Sequence, residues 1–151
     1  MSRIGPGTRR QGESGHPARE NEESIMRFMC LVRTDETATI GQTPDGVWKR
    51  MAEYEQEGRR NGTLVDIGGL LPSASGAIVS LADGRISTVD GPFADTRELI
   101  GGYAIIEVHS REEAVELGRR VLQIHVEEWP GWEGDVEVRQ LAASQSEIIG
   151  Y

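Results

Sequence analysis

Two segments of the chain carry the start signals of α-helices, and each lies between short apolar runs of strand-like length. The first segment begins at Thr43-Pro44-Asp45, which offers a capping residue, a proline for the first helical position and an acid for the first turn. It ends at Asn61-Gly62, a pair suited to a left-handed C-cap. The second segment begins at the capping box Ser110-Arg111-Glu112-Glu113. Two helices distributed among strands predict an α+β domain.

The strands and their connections make this prediction more specific. An Asp83-Gly84 pair between two alternating runs is typical of a β-hairpin. The predicted order is strand, helix, strand, hairpin, strand, helix, strand, a ferredoxin-like βαββαβ plan with an extra hairpin strand. Two helices cover one face of such a sheet, so the other must stay wet, enclose a ligand or meet a second subunit. We expect a homodimer. The predicted strands are 26–33, 63–71, 77–81, 85–89, 102–108 and 135–141.

Composition changes near residue 26, where the folded domain is expected to start. The first 25 residues hold four arginines, four glutamates and no aromatic residue, which predicts a disordered N-terminal extension over residues 1–25. One domain over residues 26–142 and a C-terminal tail over residues 143–151 complete the predicted organisation. The chain is long enough to bury a core without metals or disulfides.

Charge and apolar run lengths exclude several classes of partner. The formal net charge of −9 lies entirely in the part after residue 25, which has 12 basic and 21 acidic residues. Such a surface repels phosphate backbones, so direct nucleic-acid binding is not expected. No apolar stretch approaches the roughly 20 residues that span a bilayer, and we expect a cytoplasmic protein without membrane contact. Cys30 has no partner cysteine and is predicted to be a buried, inert thiol.

The segment from Asp90-Gly91-Pro92-Phe93 to Thr96-Arg97-Glu98 carries more chemistry than a chain reversal requires. Loops held by rigid strands often carry function. Together with Gly101-Gly102-Tyr103 and the block from Trp132 to Arg139, this segment resembles the YCII-related domain family, in the branch named for its DGPF motif. The chain departs from the commonest pattern in its N-terminal extension and in Arg97, where lysine is frequent.

The resemblance covers about residues 26–141 and implies a dimeric α+β barrel with a cleft between sheet and helices. It implies no settled reaction, because the family is largely uncharacterised. A His and Asp pair has been proposed as a catalytic centre in the wider family, and some relatives are associated with extracytoplasmic-function sigma factors.

Asp90 and His125 are the candidate catalytic residues. A carboxylate in a cleft can act as a general base if burial raises its pKa, although Asp before Gly also caps its own turn. A histidine exchanges protons near neutral pH, with an unperturbed pKa of about 6.5. The alternative for His125 is a solvated position, paired with Glu127 and Glu128.

Five further residues are candidate ligand contacts. Phe93 is a candidate pocket wall, while Arg97 and Glu98 could orient a polar ligand or be solvated. Trp129 and Trp132 could line an aromatic cleft or bury a subunit seam. Histidine spacing without a cysteine pair matches no closed zinc pattern, and no phosphate or dinucleotide fingerprint is found, so neither metal nor cofactor is expected.

Two functions remain open from the sequence. In the first, the protein is a cofactor-independent enzyme or a small-molecule binder that uses Asp90 and His125 on a small organic ligand. In the second, it is a non-catalytic dimeric module that binds a regulatory protein partner, a link to sigma-factor transcription regulation that only the resemblance suggests. Whether the protein is an enzyme is not decided by these residues.

Overall fold

The computed structural model describes residues 25–36, 42–93 and 99–148. The predicted extension lies outside these residues apart from Ile25, and so do Arg97 and Glu98. The elements, in chain order, are β1 (Met26–Thr34), α1 (Asp45–Asn61), β2 (Leu64–Gly69), β3 (Ala77–Ala82), β4 (Arg85–Asp90), β5 (Leu99–Val108), α2 (Arg111–Glu128) and β6 (Gly134–Gln140). The predicted domain boundaries stay predictions.

Four strands form one antiparallel sheet in the order β2-β5-β1-β6. Strand β1 is central, and its Cys30 pairs with Ala104 of β5 on one side and with Val138 of β6 on the other. Without the β3–β4 hairpin, the strand order and the two intervening helices match the ferredoxin-like βαββαβ plan. The predicted α+β fold class is therefore confirmed.

Both helices lie against the same face of this sheet, where the core forms. Its buried cluster consists of residues from β1, β5 and α2, namely Phe28, Cys30, Ile106, Val108 and Ala114. Fully burying a side chain such as Phe28, Ile106 or Val108 is worth about 1.5–3 kcal/mol, so this cluster stabilises the packing of helix on sheet. Because successive side chains of a strand point to opposite faces of the sheet, every second residue of β1 and β5 reaches the core.

The helix ends agree with the predicted signals except at the start of α1. Ser110 Oγ accepts the Glu113 amide at 3.1 Å, and Glu113 Oε2 accepts the His109 amide at 2.6 Å, so α2 is doubly capped. Gly62 caps α1 in the left-handed conformation with φ 80°. The predicted N-cap at Thr43 and the predicted first helical position at Pro44 are both wrong, because Pro44 occupies the cap position and no side-chain bond caps this end.

The β3–β4 hairpin forms a separate two-stranded sheet. Its turn is Asp83-Gly84, with φ 52° and 73°, the positive values that a type I′ turn requires. Residues Ala77–Ala82 and Arg85–Asp90 are all exposed. The hairpin is therefore an arm that stands away from the core.

The sheet face opposite the helices has an apolar centre framed by ion pairs. By strand alternation, Met29 and Leu31 of β1 share this face with Tyr103 and Ile105 of β5. The charged residues around them pair within the chain, at 2.6 Å for Arg27–Glu107, 2.8 Å for Arg33–Asp135 and 2.7 Å for Arg139–Glu137. None of the helices described here packs on this face.

Candidate functional site

The DGPF segment is held by its backbone. The Gly91 amide donates to the Gly76 carbonyl at 2.8 Å, and the Gly91–Pro92 peptide is cis. A Cβ atom on Gly91 would lie 1.7 Å from the Ser73 carbonyl oxygen, which no side chain can tolerate. Gly91 is therefore required by a close approach between two loops.

Ser73 is the centre of the junction that anchors this segment. Its hydroxyl donates to Glu36 Oε2 at 2.6 Å and accepts the Phe93 amide at 3.1 Å. The Ser73 amide also donates to the Glu36 carboxylate. Ser73 is 8% exposed, so these bonds satisfy a buried polar side chain. The junction joins the end of β1, the loop after β2 and the DGPF segment.

Asp90 and Phe93 lie in different surroundings. Asp90 ends β4, pairs with Ala77 across the hairpin and is exposed. The Phe93 ring is partly buried, and it lies 3.5 Å from where a Cβ on Gly76 would stand. No hydrogen bond or ion pair joins Asp90 to His125 within the described residues. Among the described residues the two members of the predicted dyad thus share no direct hydrogen bond, and their joint role stays a prediction.

The rings of His125, Trp129 and Trp132 lie together at the end of α2. The His125 ring lies over Trp132 with centroids 4.3 Å apart, and Trp129 is 6.3 Å from the same ring. The contact between His125 Nδ1 and the Val121 carbonyl oxygen is 2.8 Å. A carbonyl can only accept, so Nδ1 carries the proton and the lone pair of neutral His125 is on Nε2. Nε2 is therefore the nitrogen available to a ligand as a hydrogen-bond acceptor.

A separate cavity of about 160 Å³ lies between the helices and the helix-facing side of the sheet. Apolar side chains from β1, α1, β2, β5 and β6 form most of its wall: Val32, Met51, Leu64, Ile67, Ile106 and Val136. Glu57, Asn61 and Arg120 also line it and are exposed, so they mark its mouth. The cavity can hold an apolar group and present a polar substituent to the mouth.

Burial raises the pKa of two titratable side chains at the cavity. Burial raises the pKa of the Cys30 thiol to about 11, which makes it a poor nucleophile near neutral pH. Burial also raises the pKa of Tyr54 to about 12, and its hydroxyl donates to the Leu117 carbonyl at 2.8 Å, joining α1 to α2. The predicted inert, buried Cys30 agrees with this environment.

The family resemblance implied a cleft between sheet and helices, but none of the predicted site residues lines this cavity. The sequence feature that could have indicated the lining of the cavity was the presence of glycine within helices and strands. Gly58, Gly68, Gly102 and Gly118 all line the cavity, and they lie in α1, β2, β5 and α2. Glycine inside a helix lowers helix stability by roughly 1 kcal/mol relative to alanine. Its presence there therefore indicates a packing or functional requirement.

Neither a metal-binding cluster nor a membrane-spanning helix occurs among the described residues. No group of three or more His, Cys, Asp or Glu side chains is arranged there to hold a metal ion. Among the helices of the same residues, none is long and apolar enough to cross a bilayer.

Comparison with known proteins places the chain in a family. The model of the YCII-related domain matches residues 26–122, which is more than half of the 151 residues. The chain is also similar to an uncharacterised protein of Rhizobium meliloti, with 26% identity over 120 residues that cover 78% of this chain and 93% of that protein. The DGPF branch stays a prediction. The chain belongs to the YCII-related domain family.

Proposed function

We propose that the protein binds a small, largely apolar organic molecule in the cavity between the sheet and the helices. The observation that carries the proposal is the size and lining of this cavity, about 160 Å³ with mostly apolar walls. An apolar cavity of about 150 Å³ in another protein stays dry and takes up benzene. One aromatic ring or a short branched aliphatic group is therefore the expected occupant.

The residues at the cavity mouth favour a ligand with one polar end. Arg120 offers a cation, Glu57 an anion and Asn61 an amide within the same lining. Because the three groups are exposed, a polar substituent that lies among them can keep part of its hydration. A phenol or a small aromatic acid suits this arrangement better than a highly charged metabolite.

Catalysis by Asp90 and His125 stays a prediction. In His125 the nitrogen left to accept a proton is Nε2, because Nδ1 donates to the Val121 carbonyl. Asp90 is exposed on the hairpin, so a joint action would need a ligand or a second subunit to connect the two residues. Binding in the cavity does not depend on that connection.

The alternative function, docking of a protein partner, is supported by the exposed apolar residues of the β3–β4 hairpin. Monomeric proteins seldom leave such a patch uncovered. A sigma-factor partner stays a prediction from the family resemblance. Binding of a ligand and docking through the hairpin use different parts of the molecule.

The cavity can be tested by filling it. Ala104 lines the cavity, so Ala104→Leu places three extra carbon atoms in it, whereas Ala52→Leu adds the same atoms on the exposed side of α1. Benzene, toluene, phenol and indole are added separately, and binding is followed by calorimetry and by the increase in Tm. We expect at least one of the four to bind the wild type and Ala52→Leu, and to bind Ala104→Leu at least about 10-fold more weakly.

Circular dichroism checks that both variants are folded. Equal affinity of folded Ala104→Leu and wild type would show that the ligand binds elsewhere. Absence of binding by all four compounds to the wild type would count against the cavity as a ligand site.

A further inference from the structure

We propose that Arg120 makes the cavity between the sheet and the helices selective for a ligand whose polar end is a single carboxylate. The expected class of ligand is a small aromatic or aliphatic carboxylic acid, bound as its anion. This selectivity rests on the proposed binding of an apolar group in the cavity. It follows from the position of Arg120, from its weak partner within the chain and from the hydrogen-bonding groups beside it.

Arg120 lies where three concavities of the surface meet. It lines the apolar cavity, a groove that runs from the end of α1 to the start of α2, and a hollow between the two helices. Among the described residues it alone lines all three. A long side chain at such a junction can reach the polar end of a ligand whose apolar part fills the cavity.

The Arg120 guanidinium has a weak partner within the chain. It lies 4.0 Å from the Glu116 carboxylate, one turn earlier in α2, whereas Arg27, Arg33 and Arg139 hold their carboxylates at 2.6–2.8 Å. A distance of 4.0 Å is too long for a hydrogen bond, and an exposed pair of this kind contributes little. The N–H donors of Arg120 therefore stay available to a ligand.

Two polar side chains beside Arg120 have their hydrogen-bonding direction fixed by the chain. Asn61 Oδ1 accepts the Thr63 amide at 3.0 Å and the Thr63 hydroxyl at 2.7 Å, which leaves the Asn61 NH₂ group to donate. The Tyr54 hydroxyl gives its one proton to the Leu117 carbonyl and has none for a ligand. The side-chain donors at the mouth are thus those of Arg120 and Asn61. Donors of this kind suit carboxylate oxygens, which only accept.

The charges at the mouth favour one negative charge on the ligand. Burial raises the pKa of Tyr54 to about 12, and the strongest electrostatic effect on this hydroxyl is the opposing one of the Arg120 cation. The cation acts there more strongly than Glu57 or Glu116 does alone. The two carboxylates still repel anions, so a ligand with a second negative charge is disfavoured.

Four ligands of similar size but different polar ends test the selectivity: toluene, benzamide, benzoate and benzylamine. Calorimetry at pH 7, where a carboxyl group is ionised and an amine is protonated, gives the Kd of each ligand. The proteins are the wild type, Arg120→Gln and the matched control Arg119→Gln. Arg119 is the neighbouring exposed arginine of α2, and it lines none of the three concavities.

We expect the wild type and Arg119→Gln to bind benzoate about 5-fold more tightly than benzamide, because hydrogen bonds to an ionised acceptor are the stronger ones. Arg120→Gln should lose this preference and keep the wild-type affinity for toluene within about 2-fold. Glu57→Gln should change benzoate binding in the opposite direction and tighten it several-fold, since a repulsive carboxylate is removed. Circular dichroism checks that all variants are folded.

Three results would overturn the selectivity. They are a wild type that binds benzoate no better than benzamide, a preference for benzylamine, and equal weakening of benzoate binding in the two arginine variants, which would indicate only the change in net charge. If toluene still binds in any of these cases, the cavity remains a ligand site and only the role of Arg120 fails. Absence of binding by all four compounds would count against the cavity itself and against the selectivity with it.

Discussion

Gly91 and Ser73 show what single residues do in the DGPF segment. The Gly91 backbone lies so close to the Ser73 carbonyl that a side chain is excluded, and the Ser73 hydroxyl holds the Phe93 amide. The motif was recognisable in the sequence, but its main partners, Ser73 and Glu36, are distant along the chain and carry no local signal. Loop-to-loop contacts of this kind depend on the tertiary fold. The motif thus has a demonstrable conformational role.

Cys30 gives a prediction on pH dependence. Burial raises the pKa of its thiol from the ordinary value of 9.0 to about 11. The folded state favours the neutral thiol over the thiolate. The contribution of this preference to the free energy of unfolding is therefore complete below pH 9 and is lost as the pH rises towards 11. Between pH 8 and pH 10 we expect the wild type to lose about 1 kcal/mol more unfolding free energy than Cys30→Val.

Urea denaturation at the two pH values measures this difference. Tyr54, whose pKa is raised to about 12, also lowers the free energy of unfolding as the pH rises. Because this effect is the same in the wild type and in Cys30→Val, the difference between the two proteins reports on Cys30. Identical pH dependence of the two proteins would show that the thiol is not desolvated in the folded state.

At the scale of the elements, the two helices differ in whether the predicted side-chain N-cap forms. Ser110 Oγ accepts the Glu113 amide, whereas the start of α1 has no side-chain cap. We therefore expect Ser110→Ala to lower the free energy of unfolding by about 1 kcal/mol, and Thr43→Ala to change it by less than about 0.5 kcal/mol. Chemical denaturation of both variants provides the measurement. A larger loss from Thr43→Ala would restore the predicted cap at that residue.

Elements with local signals were the predictable part of the fold. The Asp83-Gly84 turn, the α2 capping box and the Gly62 C-cap each act within a few residues, so the sequence pattern was sufficient. In β2 the register is irregular between Leu64 and Asp66, which no local sequence pattern predicts. At Gly68 the glycine allows close packing of the Tyr103 ring. That contact joins two strands distant along the chain, and alternation within β2 does not encode it.

For the whole molecule, the cavity and the two uncovered surfaces were harder to predict. The wall of the cavity comes from six elements, so its volume depends on how their side chains meet. The sequence did indicate that one sheet face would lack a helical cover, since two helices cannot cover both. It did not indicate that the hairpin would stand apart as a sheet of its own. Hydrogen bonding between strands, which decides this, is a non-local property.

The homodimer expected from the sequence should associate more tightly as salt is added. Each chain carries a net charge of −9, so two copies repel each other, whereas the ion pairs beside the apolar sheet face lie within one chain. Raising the ionic strength from roughly 0.01 M to 0.15 M shortens the screening length from about 30 Å to about 8 Å. We therefore expect the dimer Kd, measured by sedimentation, to fall several-fold over this range.

A charge-reduced variant makes this test specific. Glu53→Gln with Glu112→Gln removes two exposed carboxylates from the helices, away from the hairpin. Because the repulsion between copies grows with the product of their charges, this variant should form a tighter dimer at low salt and respond less to added salt. Contacts between opposite charges of two subunits would give the reverse, a Kd that rises with salt, because screening weakens attraction between ions. The sign of the salt response therefore distinguishes association by apolar burial from association by complementary charge.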